Sequence, residues 1–170
     1  MSDRPRDVIP PRPLLRLNPG QGRRLRAGAP WAFSNEIAMR PEYRSMPPGA
    51  LIRLEGDDGV RFGTAMFNPH SLIAARLLDR DPAAAIDLDW MRARLAEAIA
   101  LRARVCDTPW HRLVHAEADR LPGLVIDRYD DVAVLAANSA GMDQLLPLVV
   151  EALLAELPLR AVVARNDSAA

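Results

Sequence analysis

The hydrophobic pattern of this chain changes period near residue 80, and that change constrains its fold more than any other feature. From Gly49 to Leu78 the apolar residues come in short extended runs. Ala50–Leu54 and Val60–Phe67 flank Glu55-Gly-Asp-Asp-Gly59, which has the composition of a hairpin loop. Asn68-Pro69 marks the next turn, and Leu72–Leu78 makes a third strand. Several short strands without a long helix predict a small barrel. Beyond the charged, Ala/Pro-containing stretch Arg80–Ala85 the period becomes helical. Leu88, Met91, Leu95 and Ile99 recur on one face through about Val105, with Asp87 as N-cap. Asp107-Thr108-Pro109 stops that helix.

Strands are then expected at Arg112–His115, Leu124–Asp127 and Val132–Ala137, with Asp130-Asp131 as a turn. A second amphipathic helix follows from about Met142 to Leu157, in which Pro147 is tolerable only near the first turn. Ala161–Arg165 is the last strand. Near the start, Leu14–Leu17 reads as a strand and Gly20–Gly28 as one basic helical turn. The expected fold class is α+β. Residues 1–13, with four prolines and three arginines, form a disordered leader; residues 14–80 form a small β-barrel; residues 86–168 form a small α+β unit.

Net charge is zero over 170 residues but unevenly spread. Residues 1–80 carry 13 Arg against 8 acids, a net of +5, and the remainder carries 9 Arg against 14 acids, a net of −5. A basic first half suits a phosphate-binding module. All 22 basic residues are Arg, whose planar fork favours bidentate phosphate contacts and stacking on bases. The single cysteine, Cys106, excludes an internal disulfide and a multi-cysteine metal site. It is expected to be a small buried hydrophobe. No signal peptide or membrane span is read, so the expected location is the cytoplasm.

Four places carry chemistry-bearing residues. Trp31 and Phe33 lie among arginines, a mixture that stacks on unpaired bases and holds phosphates. For these two side chains barrel core is the favoured reading. Arg23, Arg24 and Arg26 are the stronger candidates for RNA contact. Asn35 and Glu36 are open between polar surface and base-edge reading. The candidate RNA-binding set is therefore Arg23, Arg24, Arg26, Trp31 and Asn35. His115-x-Glu117-x-Asp119 would share one side of an extended strand. One cysteine cannot complete a zinc deaminase signature, so these acids are expected to bond neighbouring backbone or Arg groups at the Leu121-Pro-Gly turn. No glycine-rich dinucleotide loop is present, and a chain without Lys has no P-loop.

Five segments in order carry a resemblance. They are Pro30-Trp31 with Ser34-Asn35-Glu36; Phe67-Asn68-Pro69-His70-Ser71 leading to Ile73 and Arg76; Leu101-Arg102; Glu117-Ala-Asp-Arg-Leu-Pro-Gly-Leu-Val-Ile-Asp-Arg-Tyr129; and Arg165-Asn-Asp-Ser168. Together the chain resembles bacterial large-subunit ribosomal RNA cytosine-5 methyltransferases that carry an N-terminal PUA domain. The resemblance implies a PUA barrel, then a central α+β domain that positions RNA. It implies ribosomal RNA as partner, with no DNA and no membrane.

The family's Rossmann-like domain, with its S-adenosylmethionine site and catalytic cysteine, would lie beyond Ala170. No cofactor and no methyl transfer are therefore expected of these residues alone. The surface facing such a domain would expose apolar patches and promote self-association. Arg120 stands where the family usually has Gly, and Ala29 where His is common. A free-standing RNA-binding adaptor without enzymatic role is the alternative expectation.

Overall fold

The computed structural model describes residues 12–165, and its strands form two sheets. The leader expected at residues 1–13 lies almost wholly outside the described residues, as does Asn166–Ser168 of the last resembling segment. The first sheet contains β1 (Leu14–Arg16), β2 (Trp31–Phe33), β3 (Ala50–Glu55), β4 (Arg61–Phe67) and β5 (Ile73–Asp79), in the order β1-β3-β4-β5-β2. β1 runs parallel to β3 and the other pairings are antiparallel. The sheet curls until its edges meet. Leu17 bridges Ile37, the Asn18 amide donates to the Glu36 carbonyl at 2.8 Å, and the Ala38 amide donates to the Arg16 carbonyl at 2.9 Å.

Inside the curl lies an apolar core that includes Leu15, Leu25, Ile52, Leu54, Phe67 and Ala75. Two short helices, α1 (Arg23–Arg26) and α2 (Pro41–Arg44), cover its ends, and each buries one residue, Leu25 and Tyr43. At Gly63 the curl closes tightly. Its φ is +134°, and a Cβ there would lie 1.9 Å from the Asp79 carbonyl oxygen, so only Gly fits.

The second half begins with α3 (Leu88–Val105), capped by the Asp87 side chain accepting from the Trp90 amide. β6 (Trp110–His115), β7 (Leu124–Tyr129), β8 (Val132–Ala137) and β9 (Ala161–Ala164) form a four-stranded sheet in that order. α3 and α4 (Ala140–Glu156) pack on it around Met91, Leu95, Leu113, Ile126, Leu135 and Val149. This core extends into the first sheet by taking in Met66 and Leu78. The α+β expectation therefore holds.

Three local readings need correction. Pro147 lies well inside α4, not near its first turn. An interior proline costs about 3 kcal/mol, whereas burying Met142, Leu146, Val149 and Leu153 contributes roughly 1.5–3 kcal/mol each. The buried face therefore outweighs the lost amide, and both Pro147 and the Asp143 it frees are solvent-exposed.

His115-x-Glu117-x-Asp119 is not extended, because the strand ends at His115 and residues Ala116–Asp119 form a 3-10 turn. The expected bonding to Arg and neighbouring backbone holds for Asp119, whereas Glu117 reaches Trp31 and Arg76 of the first sheet. Asp119 accepts two hydrogen bonds from Arg102, at 2.7 and 2.6 Å, and one from the His115 amide at 2.6 Å. Cys106 is half-buried at the end of α3, not fully buried.

Arg120 closes that 3-10 turn in the left-handed region, with φ 58°. This accounts for why glycine suits the position. The Arg120 side chain pairs with Glu97, but the two side chains are 60% and 52% exposed, so the pair offsets little of the backbone cost. A non-glycine residue in this region costs about 1–2 kcal/mol, partly cancelled by glycine's unfolded-state entropy of roughly 0.5–1 kcal/mol. Arg120→Gly is expected to stabilise the chain by about 0.5 kcal/mol, read as a raised midpoint in urea unfolding. A lowered midpoint would show that the Glu97 pair dominates.

Candidate functional site

The candidate site is built on the short turn α1 and on β2. Gly22 precedes α1 in the left-handed conformation, and Leu25 anchors the turn in the core. That anchor turns Arg23 and Arg24 outward. In β2 the buried residue is Ala32, at 0% exposure, which leaves Trp31 and Phe33 on the opposite face and half-exposed. The expected barrel-core placement of Trp31 and Phe33 is thus wrong, because the small Ala32 is the inward residue. Arg23, Arg24, Phe33 and Asn35 line one open groove of about 670 Å³ with Gln21 and Glu36. The Arg24 guanidinium stacks over the Phe33 ring, 5.3 Å from its centroid. Arg23 and Arg24 are exposed and make no ion pair among the described residues.

Arg26 and Trp31 do not join this groove. Arg26 pairs with Asp58 at 2.6 Å, stacks over Phe62 and donates to the Gln21 carbonyl. The Val60 amide, together with Arg26, holds the Asp58 carboxyl below its usual range, so this pair is part of the hairpin's own structure. Trp31 donates its indole N–H to Glu117 Oε1 at 2.9 Å, and Arg76 donates to the same oxygen at 2.8 Å. Glu36 is buried and accepts from the Phe33 amide at 2.9 Å, which settles it as a structural group beneath the groove. Asn35 is exposed at the rim, with its carbonyl accepting from Asn18 at 3.0 Å.

Arg76 and Glu117 went unmarked as a pair in the sequence. They sit on β5 and the 3-10 turn, 41 residues apart, and no local pattern joins them. Two more contacts tie the halves together. Asp79 of β5 accepts from Trp90 and Arg94 of α3 at 2.8 and 2.7 Å. Gln144 of α4 donates to the Pro48 carbonyl at 2.7 Å. Beside this seam lies a second cleft, of about 460 Å³, between the β4–β5 turn and the start of α4. Asn68, His70, Ser71, Arg76, Asn138 and Ser139 give it its polar character.

S-adenosylmethionine does not fit this cleft. Its sulfonium and ammonium groups are cations, and the lining holds Arg76 and His70 with no carboxylate to receive them. No group of three or more metal-binding side chains occurs among the described residues.

The curled sheet with its basic turn defines a class. Residues 15–80 match the family model of the PUA-like domain. Curated relatives extend the likeness across the second half. Proteins named ribosomal RNA large subunit methyltransferase I match from Pseudoalteromonas translucida (32% identical, covering 89% of this chain and 38% of the relative) and Shewanella denitrificans (33%, covering 90% and 39%). The Vibrio cholerae protein of that name is 32% identical and is covered to 40% of its length.

The chain therefore spans about two fifths of the length of the curated relatives it matches, and is homologous to their N-terminal part. A solved structure assigned as a SAM-dependent methyltransferase from Streptococcus mutans superposes with a TM-score of 0.74 at 16% identity, covering 90% of this chain and 41% of that one. At that identity the likeness is one of fold. No helix among the described residues is long and apolar enough to cross a membrane.

Asp79 at the seam and Asp119 within the second half carry a pH signature. Burial pushes the Asp79 carboxyl up, but hydrogen bonds from Trp90, the Asp81 amide and Arg94, with the Arg94 charge, hold it below its ordinary value. For Asp119 burial again pushes up and is overcome by Arg102 and the His115 amide. Both folded values are depressed, so their contribution is fully present above the unfolded value of about 3.9 and is lost as pH falls through the folded ones. Asp119→Asn is expected to destabilise the chain by about 1–3 kcal/mol at neutral pH and to flatten the acid limb of a stability–pH curve. An unchanged acid limb would remove Asp119 from this role.

Proposed function

We propose that this chain is the RNA-recognition part of a ribosomal RNA methyltransferase, and that it holds RNA in the groove between α1 and β2. Residues 14–80 act as the RNA-binding domain. Residues 86–168 act as a central domain that presents the bound RNA to a methyltransferase domain of the kind the longer relatives are named for. In that setting the acceptor is a cytosine of large-subunit RNA and the donor is S-adenosylmethionine. The setting is cytoplasmic.

The observation that carries the reading is the convergence of Arg23, Arg24, Phe33 and Asn35 on one open groove of a PUA-like domain. Two exposed guanidinium groups supply phosphate contacts without first breaking ion pairs. The half-exposed Phe33 ring, with Arg24 already stacked over it, offers a face to an unpaired base. The Asn35 amide supplies a donor and an acceptor for a base edge. Arg26 and Trp31, grouped with these residues in the sequence, lie outside the groove and are held by Asp58 and Glu117.

The test is binding to a structured fragment of large-subunit RNA across a salt series. Changing Arg23 and Arg24 together to Ala is expected to weaken binding about tenfold or more and to reduce the salt slope by about 2. Arg26→Ala is expected to change affinity less than about twofold, since Asp58 already neutralises it. Equal losses from Arg26→Ala and from the double change would contradict this division of labour.

Self-association is proposed for the exposed apolar side chains Leu101, Val105, Trp110 and Tyr129 at one end of the second half. Sedimentation is expected to show a concentration-dependent rise in mass that Trp110→Ser reduces. A monomer at high concentration would refute it.

A further inference from the structure

We infer that the seam cleft beside Arg76 is a second RNA subsite, and that it receives the nucleotide next to the one stacked at Phe33 on a single-stranded RNA. This rests on the reading that the α1–β2 groove binds RNA.

The two depressions adjoin on one face of the first sheet. Phe33, which lines the groove, and Ile73, which lines the cleft, are register partners across β2 and β5. The register shifts between Ala32 and Phe33, so Phe33 and Ile73 are adjacent across a bulge and not an ideal cross-strand pair. Just beyond them the Ser34 amide donates to the Leu72 carbonyl at 2.9 Å, and the Leu72 side chain stands 72% exposed at the divide. Trp31 and Arg76 are likewise register partners, with the guanidinium 5.8 Å from the ring centroid. This face therefore carries two arginine–aromatic stacks, Arg24 on Phe33 and Arg76 on Trp31, with one depression at each end.

The cleft suits a nucleotide in size and chemistry. Its volume of about 460 Å³ falls in the range of small-ligand sites. Asn68 bends the β4–β5 turn by accepting from the His70 amide at 3.0 Å, which presents His70 and Ser71 at the rim. Across the cleft stand Asn138 and Ser139. Amide, hydroxyl and imidazole groups read the edge of an unstacked base, and Arg76 is already paired with Glu117, so the cleft takes the base and not the phosphate. The exposed Leu72 would separate one base from the next. A duplex would not serve, because its bases are stacked and paired, so the ligand is single-stranded.

His70, Leu72 and Asn138 are all exposed, so replacing them tests the cleft without unfolding it. The experiment measures binding of the 170-residue chain to oligouridine, with photo-crosslinking of a 4-thiouridine-substituted oligonucleotide as a second readout. The combined change His70→Ala, Leu72→Ala and Asn138→Ala is expected to lower affinity about tenfold. Wild-type crosslinks are expected at both Phe33 and the Asn68–Ser71 turn.

If the combined variant binds as tightly as wild type and crosslinks map only to the groove, while Arg23→Ala with Arg24→Ala weakens binding, the second subsite is refuted and the groove reading stands. If oligouridine binds wild type and both variants alike, with crosslinks at neither place, the groove reading falls and the subsite falls with it.

Discussion

The geometry of the proposed RNA-binding surface depends on one carboxylate oxygen. Glu117 Oε1 receives the indole of Trp31 and the guanidinium of Arg76 at 2.9 and 2.8 Å. One donor comes from β2, the other from β5, and the acceptor comes from the 3-10 turn that opens the path to β7. A partly buried carboxylate with two such donors is held more tightly than an exposed ion pair. The contact fixes Trp31 against the sheet, leaves Phe33 as the accessible aromatic, and sets the second half at one position relative to the first. Losing the acceptor would leave two half-buried donors competing for water, a cost in the range of about 1–3 kcal/mol.

A zero net charge conceals how the arginines are divided. Arg16, Arg76, Arg94, Arg102, Arg112 and Arg160 are paired with acids, several across the seam or along the second sheet. Arg26 is held by Asp58. These groups build the fold. Arg23 and Arg24 remain exposed on a turn without acids. At the α1–β2 groove two exposed guanidinium groups stand against one lining carboxylate, Glu36, in a chain whose overall charge is zero, and this local surplus would recruit phosphate.

Much of the fold was legible because its signals are local. The loop Glu55-Gly-Asp-Asp-Gly59, the Asp87 cap and the Pro122-Gly123 turn each depend on neighbouring residues, and β3–β4, α3 and β7 stand close to where those signals put them. Pro147 was misplaced because burial of one helix face outweighs a local rule. The site was half legible. The cluster of Arg23, Arg24 and Arg26 points to phosphate, but successive positions on a helical turn lie about 100° apart, so composition does not say which face each occupies. Trp31 and Phe33 read as core because large aromatics mostly bury; the signal that decides otherwise is the small Ala32 between them, paired with Ala75 inside the curl. Glu117 lies 86 residues from Trp31, beyond any local pattern.

The central claim is that RNA is held on the face shared by α1, β2 and β5. Amide chemical-shift mapping of the chain titrated with a large-subunit RNA fragment tests it most directly. The account predicts that shifts concentrate on Gly22–Ala27, Phe33–Asn35 and the β4–β5 turn, and diminish as salt is raised. Shifts concentrated on β9 and the exposed side of α4, with the α1–β2 groove unchanged, would contradict it.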